Sequence, residues 1–320
     1  MRVVYEPETW LFRGENYPYV HIAFRDDECN EQFTTTESDT VCYLQVTNQY
    51  RAKYGIPYTD EIISLRERYG LSAAKMSSIL GFGVNQYRLY EMGEVPSESN
   101  GKMIRGAMNP RVFLDLVNNS REYLSDREIA KVSSRVEDVM AEVEAWRNEQ
   151  WATNRLFHSR RGPENGFARQ STIRLKNLLL YVLEQMGEVF QTKMNKVLFY
   201  IDFLSYRESG MAISGLAYNA IDFGPVPQRW DRVYSAFDEI LPIPKQVHEQ
   251  ESVALMAGAS PDMNCFSDKE RAIIDTVCAK MKDLSAHEIS DLSHLEPAWK
   301  NNLHQPNTIP FSDAFTLVAM

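Results

Sequence analysis

Residues 57–93 read PYTDEIISLRERYGLSAAKMSSILGFGVNQYRLYEMG. Ile62, Ile63 and Leu65 give a first helix an apolar face, Gly70 ends it, and Leu71 fills the corner. Ser72 suits the N-cap of a second helix, which carries Ala73, Met76 and Ile79 at helical spacing. Gly81-Phe82-Gly83 breaks the pattern, because two glycines around one aromatic suit a tight, partly left-handed turn. A third helix starts near Val84, runs to Met92 and stops at Gly93, with Val84 and Tyr90 expected to face inward.

This is the layout of a helix-turn-helix, whose third element would enter the DNA major groove. Its first residues are Asn85, Gln86, Tyr87 and Arg88. Asn and Gln bond adenine through both amide atoms, and Arg bonds guanine through two N–H groups. Ser72 and Lys75, on the second helix, complete the candidate DNA-binding set, and Lys102, Arg105 and Arg111 are further cations for phosphates. An ordinary helical bundle with a polar outer face has the same spacing.

The wording LSAAKMSSILGFGVNQYRLYEMGEVPSESN resembles the helix-turn-helix of MqsA-type antitoxins, of the Xre class. Gly83, Val84, Asn85, Tyr90, Glu91 and Gly93 match that family's turn, helix start and helix end, over about 60–70 residues in all. The resemblance implies that Asn85 reads a base. The family's second base-reading residue, an Arg, falls on Leu89, with Arg88 one position earlier, which leaves the operator sequence open.

The 320 residues are enough for two or three domains, and 44% hydrophobic with 24% charged residues is an ordinary globular composition. A formal net charge of -10 argues against a chain coated for nucleic acid, while allowing a local basic face or a basic protein partner. No signal peptide and no membrane-length apolar run is evident, and four cysteines make no disulfide framework. A cytoplasmic protein with reduced thiols is expected.

Residues 1–57 read as short strands and turns rich in aromatics. The MqsA-like resemblance implies a small zinc finger here, one that helps hold the toxin, but a structural zinc site needs four ligands. This stretch offers Cys29, Cys42 and at most His21, so a metal-free, degenerate finger is expected. The helix-turn-helix domain is placed at 58–124.

Ser125-Asp126-Arg127-Glu128 has the form of a capping box. After it, Ile129, Val132, Val136, Val139, Val143 and Trp146 recur at steps of three and four, a heptad seam over 125–150. Such a seam serves a dimer, which two half-sites require, or a helix packed within its own chain; the dimer is favoured. Residues 151–170 lack apolar period and read as a surface linker.

Residues 171–320 form the last domain. Ile173–Met186 is an apolar helix stopped by Gly187, and a second helix carries Met194, Val197, Leu198, Ile201 and Leu204 inward. Leu216, Tyr218 and Ala220 alternate as a strand, and Gly224-Pro225-Val226-Pro227 reads as a rigid turn. A strand pair between Ile243 and Met256 and helices capped at Ser267 and Ser285 follow. The fold class is therefore mainly α with small β elements.

This stretch resembles the Panacea domain, also called the SocA-like antitoxin domain. The carrying residues are Lys193, Lys196, Tyr200 and Asp202, then Gly210, Ile213, Ser214, Gly215 and Tyr218, then Phe223-Gly224-Pro225-Val226-Pro227, and late Ser293, His294, Glu296 and Trp299, over about 130 residues. The resemblance implies a toxin-neutralising domain. Aromatic anchors beside a rigid turn make Tyr200, Tyr218, Asp222, Phe223 and Trp230 the candidate toxin-binding residues, although core packing would use the same side chains.

Asp202, Asp222, His294 and Glu296 are the residue types of a carboxylate–His site, but no spacing demands one. With no phosphate-binding loop, metal pattern or nucleophile elbow, no enzyme and no cofactor is expected. The two resemblances together imply an antitoxin that binds a cognate toxin encoded nearby and, as a homodimer on double-stranded operator DNA, represses its own promoter. The alternative is a regulator whose C-terminal domain senses a small ligand or a phage protein.

Overall fold

The computed structural model describes residues 1–141, 151–157, 159–247, 250–303 and 308–320. Two compact units emerge. One combines Met1–Val46 with Trp151–Met320, and the other is Thr47–Gln150. The mainly helical class with small antiparallel sheets is as expected from the sequence. No helix among the described residues is long and apolar enough to cross a membrane.

Where short strands and a finger relic were expected, the first unit opens with one long hairpin. β1 (Arg2–Phe12) pairs along its whole length with β2 (Glu15–Arg25), and the short β3 (Gln32–Phe33) adds to β2. Arg13 and Gly14 both take positive φ, the geometry of a two-residue hairpin turn whose twist matches the strands. α1 (Thr36–Tyr54) follows, its start held by reciprocal bonds between Thr35 and Ser38. Gln45 on α1 accepts from the Val20 N–H and donates to the Val20 carbonyl, both at 2.9 Å, and so fixes α1 to β2. Cys42 is buried on α1 and Cys29 is exposed after β2, which is not a finger's arrangement.

The first unit resumes with residues 151–156, which are helical. The expected linker is in fact packed: Leu156, Phe157, Phe167 and Ala168 are buried. Gly166 takes φ +58°, and a Cβ there would lie 2.7 Å from Ala212 and 2.9 Å from Phe311, so only glycine admits this approach. Then come α8 (Thr172–Met186), β4 (Val189–Phe190) and α9 (Gln191–Ser209). Every residue of α9 from Lys193 to Tyr206 is buried, which makes it the axis of the unit. Around it lie β5 (Tyr218–Ile221), β6 (Gly224–Pro227), α10 (Trp230–Ser235), β7 (Ile240–Val247), β8 (Gln250–Ala257), α11 (Asp268–Met281), α12 (Ala286–Leu295) and α13 (Pro297–Lys300). β4, β8 and β7 form one sheet and β5 with β6 another. Capping boxes at Ser267 and Ser285 start α11 and α12.

The second unit packs α2 (Thr59–Arg68), α3 (Ala73–Ile79), α4 (Gln86–Glu91), α5 (Glu98–Ala107), α6 (Pro110–Asn118) and α7 (Asp126–Ala141) around Ile62, Tyr69, Met76, Tyr87 and Phe113. Tyr69 stacks on Phe113 with centroids 4.0 Å apart. The heptad seam resolves differently from the favoured dimer: Ile129, Val132, Val136 and Val139 are buried in this same core. Val143 and Trp146 lie outside the described residues.

Candidate functional site

In the second unit, Ser72 caps α3 by accepting from the Lys75 N–H, and the Lys75 ammonium pairs with Glu128 on α7. Lys75 and Ser125 together hold the Glu128 carboxyl far down, at about 2. Asn85 is the exposed N-cap of the short α4, with no side-chain capping bond. Gln86 donates to Glu94 at 3.1 Å, and Arg88 is exposed. Two expectations change. Tyr87 is fully buried and its hydroxyl donates to the Ile62 carbonyl at 2.7 Å, so it presents nothing to a base. Val84 is 80% exposed, because α4 begins only at Gln86 and leaves Val84 in the turn. The outward surface of turn and helix is therefore Val84, Asn85, Arg88, Leu89 and Met92.

In the first unit, the polar residues of α9 organise their surroundings. Lys193 donates to the carbonyls of Lys282 (2.8 Å) and Leu284, beyond the C-terminus of α11. Asp202 receives the N–H groups of Ile213 and Ser214, each at 2.8 Å, the Ser214 hydroxyl, and the Tyr218 hydroxyl at 2.5 Å. Burial raises its pKa and these four donors oppose the rise. Lys196 is buried with no ion-pair partner among the described residues, and burial lowers its pKa to about 8. Tyr200, one turn further along, is also buried, and burial followed by the nearby Glu296 raises its pKa.

Two of these groups, Asp202 and Lys196, meet the β5–β6 hairpin. Gly224 takes φ +95°, and a Cβ there would lie 2.6 Å from the Ser293 hydroxyl and 2.8 Å from Lys196 Cε. Pro225 and Pro227 sit in strand β6, not in a turn as expected, with register Ala220↔Pro225 and Tyr218↔Pro227. Their spacing of two puts both donor-less nitrogens on one side of an edge strand, where no ladder bond is lost. On the other flank, the Ile309 N–H donates to the Tyr218 carbonyl at 2.7 Å. The Trp299 indole donates to the Ile221 carbonyl at 2.7 Å, and His294 stacks on Trp299 at 4.3 Å. Glu296 accepts from the N–H groups of Val318 and Ala319. The turn itself, Asp222-Phe223, is exposed, with Phe223 74% open to solvent.

Residues 194–300 match the family described as Antitoxin SocA-like, Panacea domain. No curated protein and no solved structure matches the chain. The Panacea match covers the hairpin and most of the groups that hold it. It also divides the five candidate toxin-binding residues. Tyr200, on α9, and Tyr218, in β5 of the Panacea hairpin, are buried completely, so neither side chain is open to a partner. Asp222 and Phe223 form the tip. Trp230 is exposed but begins α10 at the hairpin's open end, about 10 Å of strand from the tip. Asp202, Asp222, His294 and Glu296 do not act on one point: Asp202 serves residues 213–218, Glu296 serves 318–319, and Asp222 faces solvent. Ile221, also exposed beside Phe223, was missed; its place flanking the turn, out of phase with inward Tyr218 and Ala220, was the available signal.

Proposed function

We propose that this chain is an antitoxin whose Panacea segment binds and masks a protein toxin through the tip of the β5–β6 hairpin. The observation that carries this is the exposed Ile221-Asp222-Phe223 tip on a hairpin fixed by buried groups within the matched segment. An apolar tip held rigid loses little freedom on docking, so more of its burial appears as affinity. The reading involves binding alone, without catalysis or a cofactor, in the cytoplasm. The second unit is proposed to repress the operon by binding operator DNA through Asn85 and Arg88, with phosphate contacts from Lys102 and Arg111. Two half-sites require a homodimer, and its surface lies elsewhere than the buried α7 stripe.

Co-expression of the chain with the product of its chromosomal neighbour tests the main claim. Restored growth together with a co-purifying complex is the expected result. A harmless neighbour, or toxicity that persists with no complex, would sink it. Asn85→Ala with Arg88→Ala is expected to abolish operator binding in a mobility-shift assay while growth rescue stays intact.

A further inference from the structure

The N-terminal hairpin carries a concave feature, far in sequence from the β5–β6 tip. Its register sets Glu8 opposite Tyr19 and Glu6 opposite His21, so these side chains share a face with Trp10. α1 contributes Asp39, Cys42 and Tyr43 to the same side. The Trp10 ring lies 5.7 Å from Tyr19 and 6.3 Å from Tyr43, and Tyr19 lies 6.2 Å from His21, all with steeply inclined planes. The result is an open cup walled by aromatic rings with Asp39 in its lining. Glu8 joins it from the β1 strand, accepting the Tyr19 hydroxyl at 2.6 Å. Among the described residues the lining holds no lysine or arginine.

We propose that this cup takes the cationic head of an arginine or lysine side chain on a protein partner. Ring faces attract a cation through their quadrupole, and two carboxylates at the cup reinforce that attraction. An anion would meet Asp39 and Glu8, and a neutral apolar group would leave their field uncompensated. The cup's field already acts on its own lining: the Cys42 thiol is pushed up by burial first, then by Asp39 and Glu8. The rim favours a side chain over a free ion, because exposed Leu11 offers contact to the stem and the surrounding peptide. The formal net charge of -10 supplies the complementary long-range attraction to a basic protein.

The test uses the full chain labelled with nitrogen-15, following the Trp10 indole signal assigned through Trp10→Phe. A capped Gly-Arg-Gly peptide is titrated, then the same peptide with citrulline in place of arginine, then tetramethylammonium. The arginine peptide is expected to shift the Trp10 signal, and the citrulline peptide to bind about tenfold more weakly. Asp39→Asn and Glu8→Gln, both on exposed residues, are each expected to weaken the arginine peptide several-fold with an unchanged unfolding midpoint. A response to tetramethylammonium without one to the peptide overturns the side-chain occupant. Equal responses to arginine and citrulline, or none at Trp10 to any cation, overturn the cup as a cation site. No toxin enters the experiment, so its outcome is independent of the antitoxin reading.

Discussion

The hydroxyl of Tyr218 on strand β5 donates to Asp202 on helix α9 at 2.5 Å, beside two backbone N–H groups that reach the same carboxylate from residues 213 and 214. One buried acid therefore fixes both the loop before the hairpin and its first strand. Asp202→Asn replaces an oxygen by an amide that faces donors, and is expected to cost about 2–4 kcal/mol. Tyr218→Phe should cost about 1–2 kcal/mol. The double variant should lose clearly less than the two losses added, because both act on one network. Urea denaturation measures all three, and strict additivity would refute the shared node.

Lys196 makes stability depend on pH. Its folded pKa is depressed to about 8 from 10.5, so the unfolded chain holds this proton more tightly. Stability therefore rises with pH through the window from about 8 to 10.5, and the penalty of the buried ammonium is fully present below 8. Lys196→Met keeps the shape and removes the charge. It is expected to be more stable than the parent at pH 7 by on the order of 2 kcal/mol, with the gap closing by pH 10. A gap that is constant with pH would show that the amine is solvated.

Phe223 and Tyr200 separate surface from scaffold. Phe223→Ala should leave the unfolding midpoint nearly unchanged, within about 0.5 kcal/mol, since its ring is in solvent. It should weaken the toxin complex at least about tenfold in a calorimetric titration. Tyr200→Ala should instead cost about 3–5 kcal/mol of stability, as for other buried aromatics.

In the second unit, Tyr87→Phe removes a buried hydroxyl from the Ile62 carbonyl and should cost about 1–2 kcal/mol. Any loss of DNA binding should disappear under conditions where the variant is fully folded. Asn85→Ala should show the reverse: unchanged stability and lost operator binding. Circular dichroism and mobility shifts on the same samples decide both.

The helical periods, Gly stops and capping boxes were legible in the sequence because each is a local signal with its own geometry: Ser267 and Glu270, or Ser285 and Glu288, bond within four residues. Depth was not legible. Tyr87, Tyr200 and Tyr218 look like surface anchors by residue type, yet their hydroxyls or rings complete cores assembled from distant segments. α1 was hidden because its apolar residues form no stripe: its buried positions mix Gln45, Thr47, Asn48 and Arg51 with Val41, Cys42, Val46 and Tyr50. The prolines of β6 misled for a related reason, since proline's exclusion from sheets does not extend to an edge. Asn85, in contrast, stands at the exposed position its turn announced, whereas Phe223 is exposed at a turn that lies just before the expected one.

The first unit is written in two pieces, residues 1–46 and 151–320, with Tyr5 set against Phe315 at 5.4 Å and the missing side chain of Gly210 filled by Leu44. On the ribosome this ordering delays completion. The hairpin and the start of α1 can pair with each other early, but their contacts to Gly210 and Phe315 wait until those residues leave the exit tunnel, after the middle unit is already whole. Cleavage that removes either the strand of Tyr5 or the segment of Phe315 then erodes the same core.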